Sequence, residues 1–143
     1  MCKEVKDNVS FIEFIGFERG KKEDGRFCLE LRLKPYLLQD EGIIHPGVYS
    51  TMLDIVMGAT LNRAFHCFAT TINLNVSFFN FSPQQLYKAE TLILHRDGNY
   101  VTAEGIIKAA NNMIMAKGNG TFKISSKEGK NEECSKVRTG NVL

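Results

Sequence analysis

One carboxylate stands alone in the most apolar stretch of this chain. From Pro46 to Leu61 (PGVYSTMLDIVMGATL) Asp54 is the only formally charged residue, and the stretch reads as a single helix. Pro46 suits the first helical position, where a missing N–H is not needed. At helical spacing Val48, Met52, Ile55 and Ala59 form one stripe, and Tyr49, Leu53 and Val56 a second beside it. Such a helix is apolar over most of its circumference and is expected to be buried. The remaining face carries Gly47, Thr51, Asp54, Gly58 and Leu61, so small residues flank the carboxylate and leave room for a ligand. A lone carboxylate in a buried helix costs on the order of several kcal/mol. Asp54 is therefore either a well-satisfied structural group or a reactive site. The chemistry open to it is general-base or nucleophilic work.

The elements that must position this carboxylate can be read on either side of it. A short helix containing Phe11, Phe14 and Ile15 is expected within Val5–Gly16. A hairpin follows, turning at Asp24-Gly25, with Phe27, Leu29, Leu31 and Leu33 facing inward. Pro35 ends that strand, and a loop from Tyr36 to Ile44 leads into the long helix. Cys67–Phe79 then alternates Ile72, Leu74, Val76 and Phe78 against Thr71, Asn73, Asn75 and Ser77. Further strands are expected at Leu86–Arg96, Tyr100–Ala109 and Met113–Ile124, separated by turns at Asp97-Gly98-Asn99 and Asn111-Asn112. Gly118 and Gly120 in the last strand point to a bulge or a close backbone approach. The pattern predicts an α+β fold, with one long helix against a curved antiparallel sheet. Residues 1–125 form the expected domain, and 126–143 a polar, mobile tail. A sheet this small leaves an exposed edge strand, which favours edge-to-edge dimerisation.

Composition excludes several classes. At 143 residues, with 43% hydrophobic and 24% charged residues, the chain fits one soluble domain with a single core. A net charge of +2, without a basic cluster interleaved with aromatics, gives no footprint for nucleic acid. No apolar run is long enough for a membrane span, and the N-terminus has no signal-peptide pattern. The cysteines (Cys2, Cys28, Cys67, Cys134) and histidines (His45, His66, His95) lack metal-ligand spacing, so no metal is expected, and the thiols are expected to be reduced. No phosphate-binding glycine loop is present. A cytoplasmic protein is the resulting expectation.

The order of elements, together with G-x-x-H-x-G-V-x-x-x-x-L-x-D-x-x-x-G over Gly42–Gly58, resembles the hotdog-fold acyl-CoA thioesterases. The branch it resembles is the phenylacetyl-CoA and hydroxybenzoyl-CoA thioesterase-like family. Thr71-Ile-Asn-Leu-Asn-Val-Ser-Phe, Ser82-Pro83 and Gly118-Asn-Gly-Thr-Phe add to the likeness, which runs from about Phe11 to Ile124. The resemblance implies five or six strands wrapped around one central helix, and hydrolysis of an acyl-CoA to carboxylic acid and free CoA. It assigns Asp54 as nucleophile or general base. Gln39 and Thr71 would position water or the carboxylate, and His45 would stand at the helix entrance, making either a structural hydrogen bond there or a contact to the thioester carbonyl. Thr51 and Gly58 would border the substrate. It implies no cofactor and no metal, since CoA arrives as part of the substrate. It also implies a homodimer, or a tetramer of dimers, with the active site at the subunit interface.

Two departures from the family pattern bear on the chemistry. The family usually has His-Gly-Gly, and the glycine after the histidine commonly offers its N–H to the thioester oxygen. Here Pro46 has no N–H to give, so that contact is expected from Gly47 N–H at the helix start, where unpaired N–H groups and the positive dipole end favour developing negative charge. At the Asp97-Gly98-Asn99 turn the family carries Arg or Lys for CoA phosphates, a part for which Arg96, or Lys88, is the substitute. The proline also motivates an alternative of another class, a non-catalytic hotdog module that binds acyl-CoA or acyl chains. A hotdog dehydratase fits the spacing less well.

Overall fold

The computed structural model of the chain describes residues 10–22 and 24–126. A short helix α1 (Phe11–Ile15) is capped by the Ser10 side chain and ended by Gly16 at φ +93°. Strands β1 (Phe17–Lys21) and β2 (Phe27–Arg32) form a hairpin, in which Gly25 takes φ +83° and Asp24 Oδ1 accepts from Arg26 N–H at 3.0 Å. A 3₁₀ turn (Pro35–Leu37) precedes the long helix α2 (Pro46–Phe65), and β3 (Cys67–Phe78), β4 (Leu86–Asp97), β5 (Tyr100–Ala109) and β6 (Ile114–Ser126) complete the described residues. The six strands form one antiparallel sheet in the order β1-β2-β4-β5-β6-β3. The expected fold is thus present: one helix lies across a curved antiparallel sheet. β6 runs through Ser126, one residue past the domain boundary read from composition, and the rest of the expected tail lies outside the described residues.

Helix α2 buries Val48, Tyr49, Met52, Leu53, Val56, Met57, Leu61 and Phe65 against the sheet. Each such side chain contributes about 1.5–3 kcal/mol when taken from water. The opposite face is only half-buried within one chain, Ile55 and Ala59 included, so the stripe read from spacing is wider than the surface the sheet covers. At the N-terminal end Tyr49 lies among Phe78, Phe81 and Tyr87, and its hydroxyl donates to Asn80 O at 3.0 Å. At the C-terminal end His66 adopts φ 53° and its N–H donates to Asn62 O.

Two glycines let the helix approach the sheet. Gly105 of β5 and Gly118 of β6 are partners in register, and Leu53 sits over both. A Cβ at Gly105 would lie 2.9 Å from Leu53 Cδ2, and one at Gly118 would lie 3.2 Å from Leu53 Cδ1 and 2.8 Å from Asn75 O. Gly118 therefore marks a close approach, one of the two expected alternatives.

The bulge lies across the ladder from it, in β3. Thr71 pairs with Phe122 and Asn73 with Thr121, so Ile72 is an extra residue without a partner. This corrects the alternation expected for β3. Up to Thr71 the inward residues are Cys67, Ala69 and Thr71; beyond the bulge they are Leu74 and Val76. Thr71 thus faces the helix, opposite to Asn73 and Asn75, and Ile72 is 56% exposed.

Cys28 is a buried free thiol, whereas Cys67 is disulfide-bonded, so the expectation of reduced thiols fails at Cys67. No helix among the described residues is long and apolar enough to cross a membrane.

Candidate active site

The bulge in β3 and the small-residue face of α2 meet at Asp54. Thr71 Oγ1 donates to Asp54 Oδ1 at 2.6 Å, a short, charge-assisted bond when the carboxylate is ionised. It holds one carboxylate oxygen and leaves the other available. Leu53, the residue before, is wedged over the paired glycines, which fixes the helix rotation that presents Asp54. One turn further on, a Cβ at Gly58 would meet nothing within 4 Å. Thr51 Oγ1 donates to Gly47 O at 2.7 Å, which keeps the hydroxyl along its own helix and its methyl group beside the same face. Asp54 is half-buried and Thr71 exposed, so the pair opens outward from the single chain.

The helix entrance is built by a tight turn. Gln39 N–H donates to Ile43 O, Gly42 N–H donates to Gln39 O, and Leu38 bridges Ile44. Gly42 supplies the positive φ this reversal requires, at 78°. His45 N–H then donates to Leu37 O at 3.1 Å, which places His45 at the N-cap of α2. Its imidazole folds back, and Gly47 N–H donates to Nδ1 at 2.9 Å. A Cβ at Gly47 would lie 2.9 Å from that nitrogen, so glycine is what allows the ring to sit there. The Gly47 N–H, expected to face a thioester oxygen, thus already has a partner within the chain.

Of the residues singled out in sequence, the structure joins Thr71 to Asp54 and His45 to Gly47. Gln39 is held by its backbone, half-buried in the turn before His45. Arg96 lies elsewhere: a second register shift, between Ile93 and His95, turns it inward opposite Val101. Its guanidinium stacks over Phe65 at 4.9 Å, and its Nε donates to Gly98 O. Phe65 is eleven residues beyond Asp54, about 16 Å along the helix axis at 1.5 Å per residue. Lys88 faces Glu30 on the outer side of the sheet, at 3.7 Å. What sequence reading missed is the His45–Gly47 bond; the pairing of a histidine with a glycine two residues on was its only trace.

The fold agrees with what comparisons find. The thioesterase superfamily model matches residues 41–116, which take in His45, Asp54 and Thr71. The chain belongs to the thioesterase superfamily. Among solved structures, it is similar to a Bacillus halodurans protein crystallised with CoA, with a TM-score of 0.77 and 24% identity over 85% of this chain and 83% of that one. It is also similar to a Staphylococcus aureus protein solved in two variants. One, named a thioesterase, has a glutamine changed to alanine (TM-score 0.70, 15% identity, 80% and 97% covered). The other has a glutamate changed to alanine (TM-score 0.71, 16% identity, 81% and 98% covered). At these identities the likeness is one of fold. No curated protein matches the sequence.

Proposed function

We propose that the chain is an acyl-CoA thioesterase with Asp54 as nucleophile or general base. The observation that carries this reading is the Thr71–Asp54 hydrogen bond on a helix face kept open by Thr51 and Gly58. In this reading Asp54 Oδ2 attacks the thioester carbon or takes a proton from the water that does. Thr71 fixes the carboxylate, and Gln39 orients the thioester or the water from the turn before the helix. The positions altered in the S. aureus protein support the pairing: the glutamine and glutamate are fifteen residues apart there, as Gln39 and Asp54 are here. The B. halodurans neighbour was crystallised with CoA, which supports CoA as the carrier of the acyl group. An acyl-CoA substrate is an intracellular compound, which is the support for a cytoplasmic location.

The site is completed by a second copy in this reading. Among the described residues β3 ends the sheet with an unpaired edge, and Asp54 and Thr71 open outward beside it, so a homodimer joined along β3, alone or paired into a tetramer, would close the cleft. Residues 1–125 act as one catalytic domain.

Thiol release from a panel of aryl- and alkyl-CoA thioesters, run beside Asp54→Asn, tests the reading. Turnover that vanishes in the mutant while the assembly persists is the expected result; an unchanged kcat sinks the assignment. A second reading has an observation of its own: Pro46 lacks an N–H and that of Gly47 is engaged, which fits a non-catalytic module. Saturable acyl-CoA binding without thiol release would select it.

A further inference from the structure

Within the thioesterase reading, on which this inference rests, the oxyanion that forms during hydrolysis needs a donor. Among the first three positions of α2 the backbone offers none unengaged. Pro46 has no N–H, Gly47 N–H donates to His45 Nδ1 at 2.9 Å, and Val48 N–H donates to His45 O at 3.0 Å. The ring that takes the Gly47 hydrogen is thereby defined. An imidazole whose Nδ1 accepts carries its proton on Nε2, and that N–H has no partner among the described residues. His45 is exposed at the mouth of the helix.

We propose that His45 Nε2–H is the oxyanion donor, a catalytic side chain replacing the backbone N–H that Pro46 removed. Gly47 acts as the positioning residue: its lack of a Cβ admits the ring, and its N–H fixes the tautomer. The step balances without a proton leaving the histidine. A C–O bond forms at the thioester carbon as Asp54 or its water attacks, the carbonyl oxygen gains negative charge against Nε2–H, and the C–S bond breaks as that charge returns. The one water consumed, which attacks the thioester carbon directly or cleaves the anhydride bond left on Asp54, supplies the hydroxyl of the carboxylic acid and the proton of the CoA thiol. His45 lies nine residues before Asp54, about 13 Å along the helix axis at 1.5 Å per residue, so with two chains paired the donor to one copy's Asp54 cleft is the partner's His45.

The test is a mutant cycle. His45→Ser keeps an N-cap oxygen for the helix and removes the ring. It is expected to lower kcat by about 10²–10³, the cost of one oxyanion donor, with KM changed far less. Pro46→Gly restores a backbone N–H at the position that lost it. In that background His45→Ser is expected to cost less than about tenfold, because the backbone donor takes over. Equal losses in both backgrounds, or wild-type kcat in His45→Ser, overturn the proposal. A readout independent of turnover is the ¹⁵N–¹H spectrum of the His45 ring: a neutral ring protonated at Nε2 is expected, and one protonated at Nδ1 overturns it. Wild-type protein that releases no thiol from any thioester overturns the thioesterase reading itself. Normal wild-type turnover with an indifferent His45→Ser overturns this inference alone.

Discussion

The same substitution, glycine to alanine, is expected to have opposite effects at two positions that flank Asp54. At Gly118 the new methyl group would meet Asn75 O at 2.8 Å and Leu53 Cδ1 at 3.2 Å. The oxygen belongs to the paired backbone of β3 and cannot rotate away, so β3 or the Leu53 side chain must shift. Overpacking of this kind costs about 1–3 kcal/mol. For a chain of 143 residues that is a fall in Tm of about 3–10 °C. At Gly58 the methyl group would meet nothing within 4 Å, and alanine is favoured over glycine in a helix interior by about 0.8–1 kcal/mol. Gly58→Ala is therefore expected to raise Tm by about 3 °C, while crowding the open face beside Asp54 and raising KM for acyl-CoA. Paired thermal melts and steady-state thiol-release kinetics on the two variants read both effects. A Gly118→Ala protein as stable as wild type would refute the close-approach argument. A Gly58→Ala protein with unaltered kinetics would remove that face from the substrate's path.

Thr71→Val keeps the shape of the side chain and deletes its bond to Asp54. A hydrogen bond to a charged group is worth about 1.5–3 kcal/mol, so kcat should fall about 10- to 150-fold and return with Thr71→Ser; a change within twofold would disprove the role. Ile72 has no ladder partner, and its neighbours form successive pairs, so deleting it should leave every pair in register and the melt nearly unchanged while altering the aim of Thr71. A protein that no longer folds would contradict this register. Burial pushes the phenols of both Tyr49 and Tyr87 above their ordinary value of 10.0. The unfolded chain thus releases these protons first as pH rises past about 10, so stability is full below that pH and declines above it. Urea titrations from pH 8 to 11 should show this decline, and a flat profile would refute it.

The long elements were legible because their patterns are long. Pro46, the apolar stripes and the lone Asp54 marked α2, and the Asp24-Gly25 turn with its alternating leucines marked the hairpin. The face of Thr71 was not legible. Ile72, Leu74, Val76 and Phe78 alternate without a break, so period-2 reading carries the alternation through the one position where the ladder gains a residue. The same device hid Arg96, which the shift between Ile93 and His95 turns toward Phe65. The His45–Gly47 bond was illegible for a different reason. It joins a side chain to a backbone hydrogen, and neither periodicity nor composition records which nitrogen a ring presents.

The seat of Leu53 on Gly105 and Gly118 also orders events in time. Thr71 follows Asp54 by seventeen residues, so α2 and β3 can find each other across a short loop. Gly118 lies far later in the sequence and meets Leu53 only when β5 and β6 have paired. Contacts separated this widely form after the closure entropy of the long loop has been met. The carboxylate and its hydroxyl partner can thus be brought together early, and the helix is locked in rotation last. Damage at the glycine seat should accordingly leave the rate of folding nearly untouched and appear as faster unfolding.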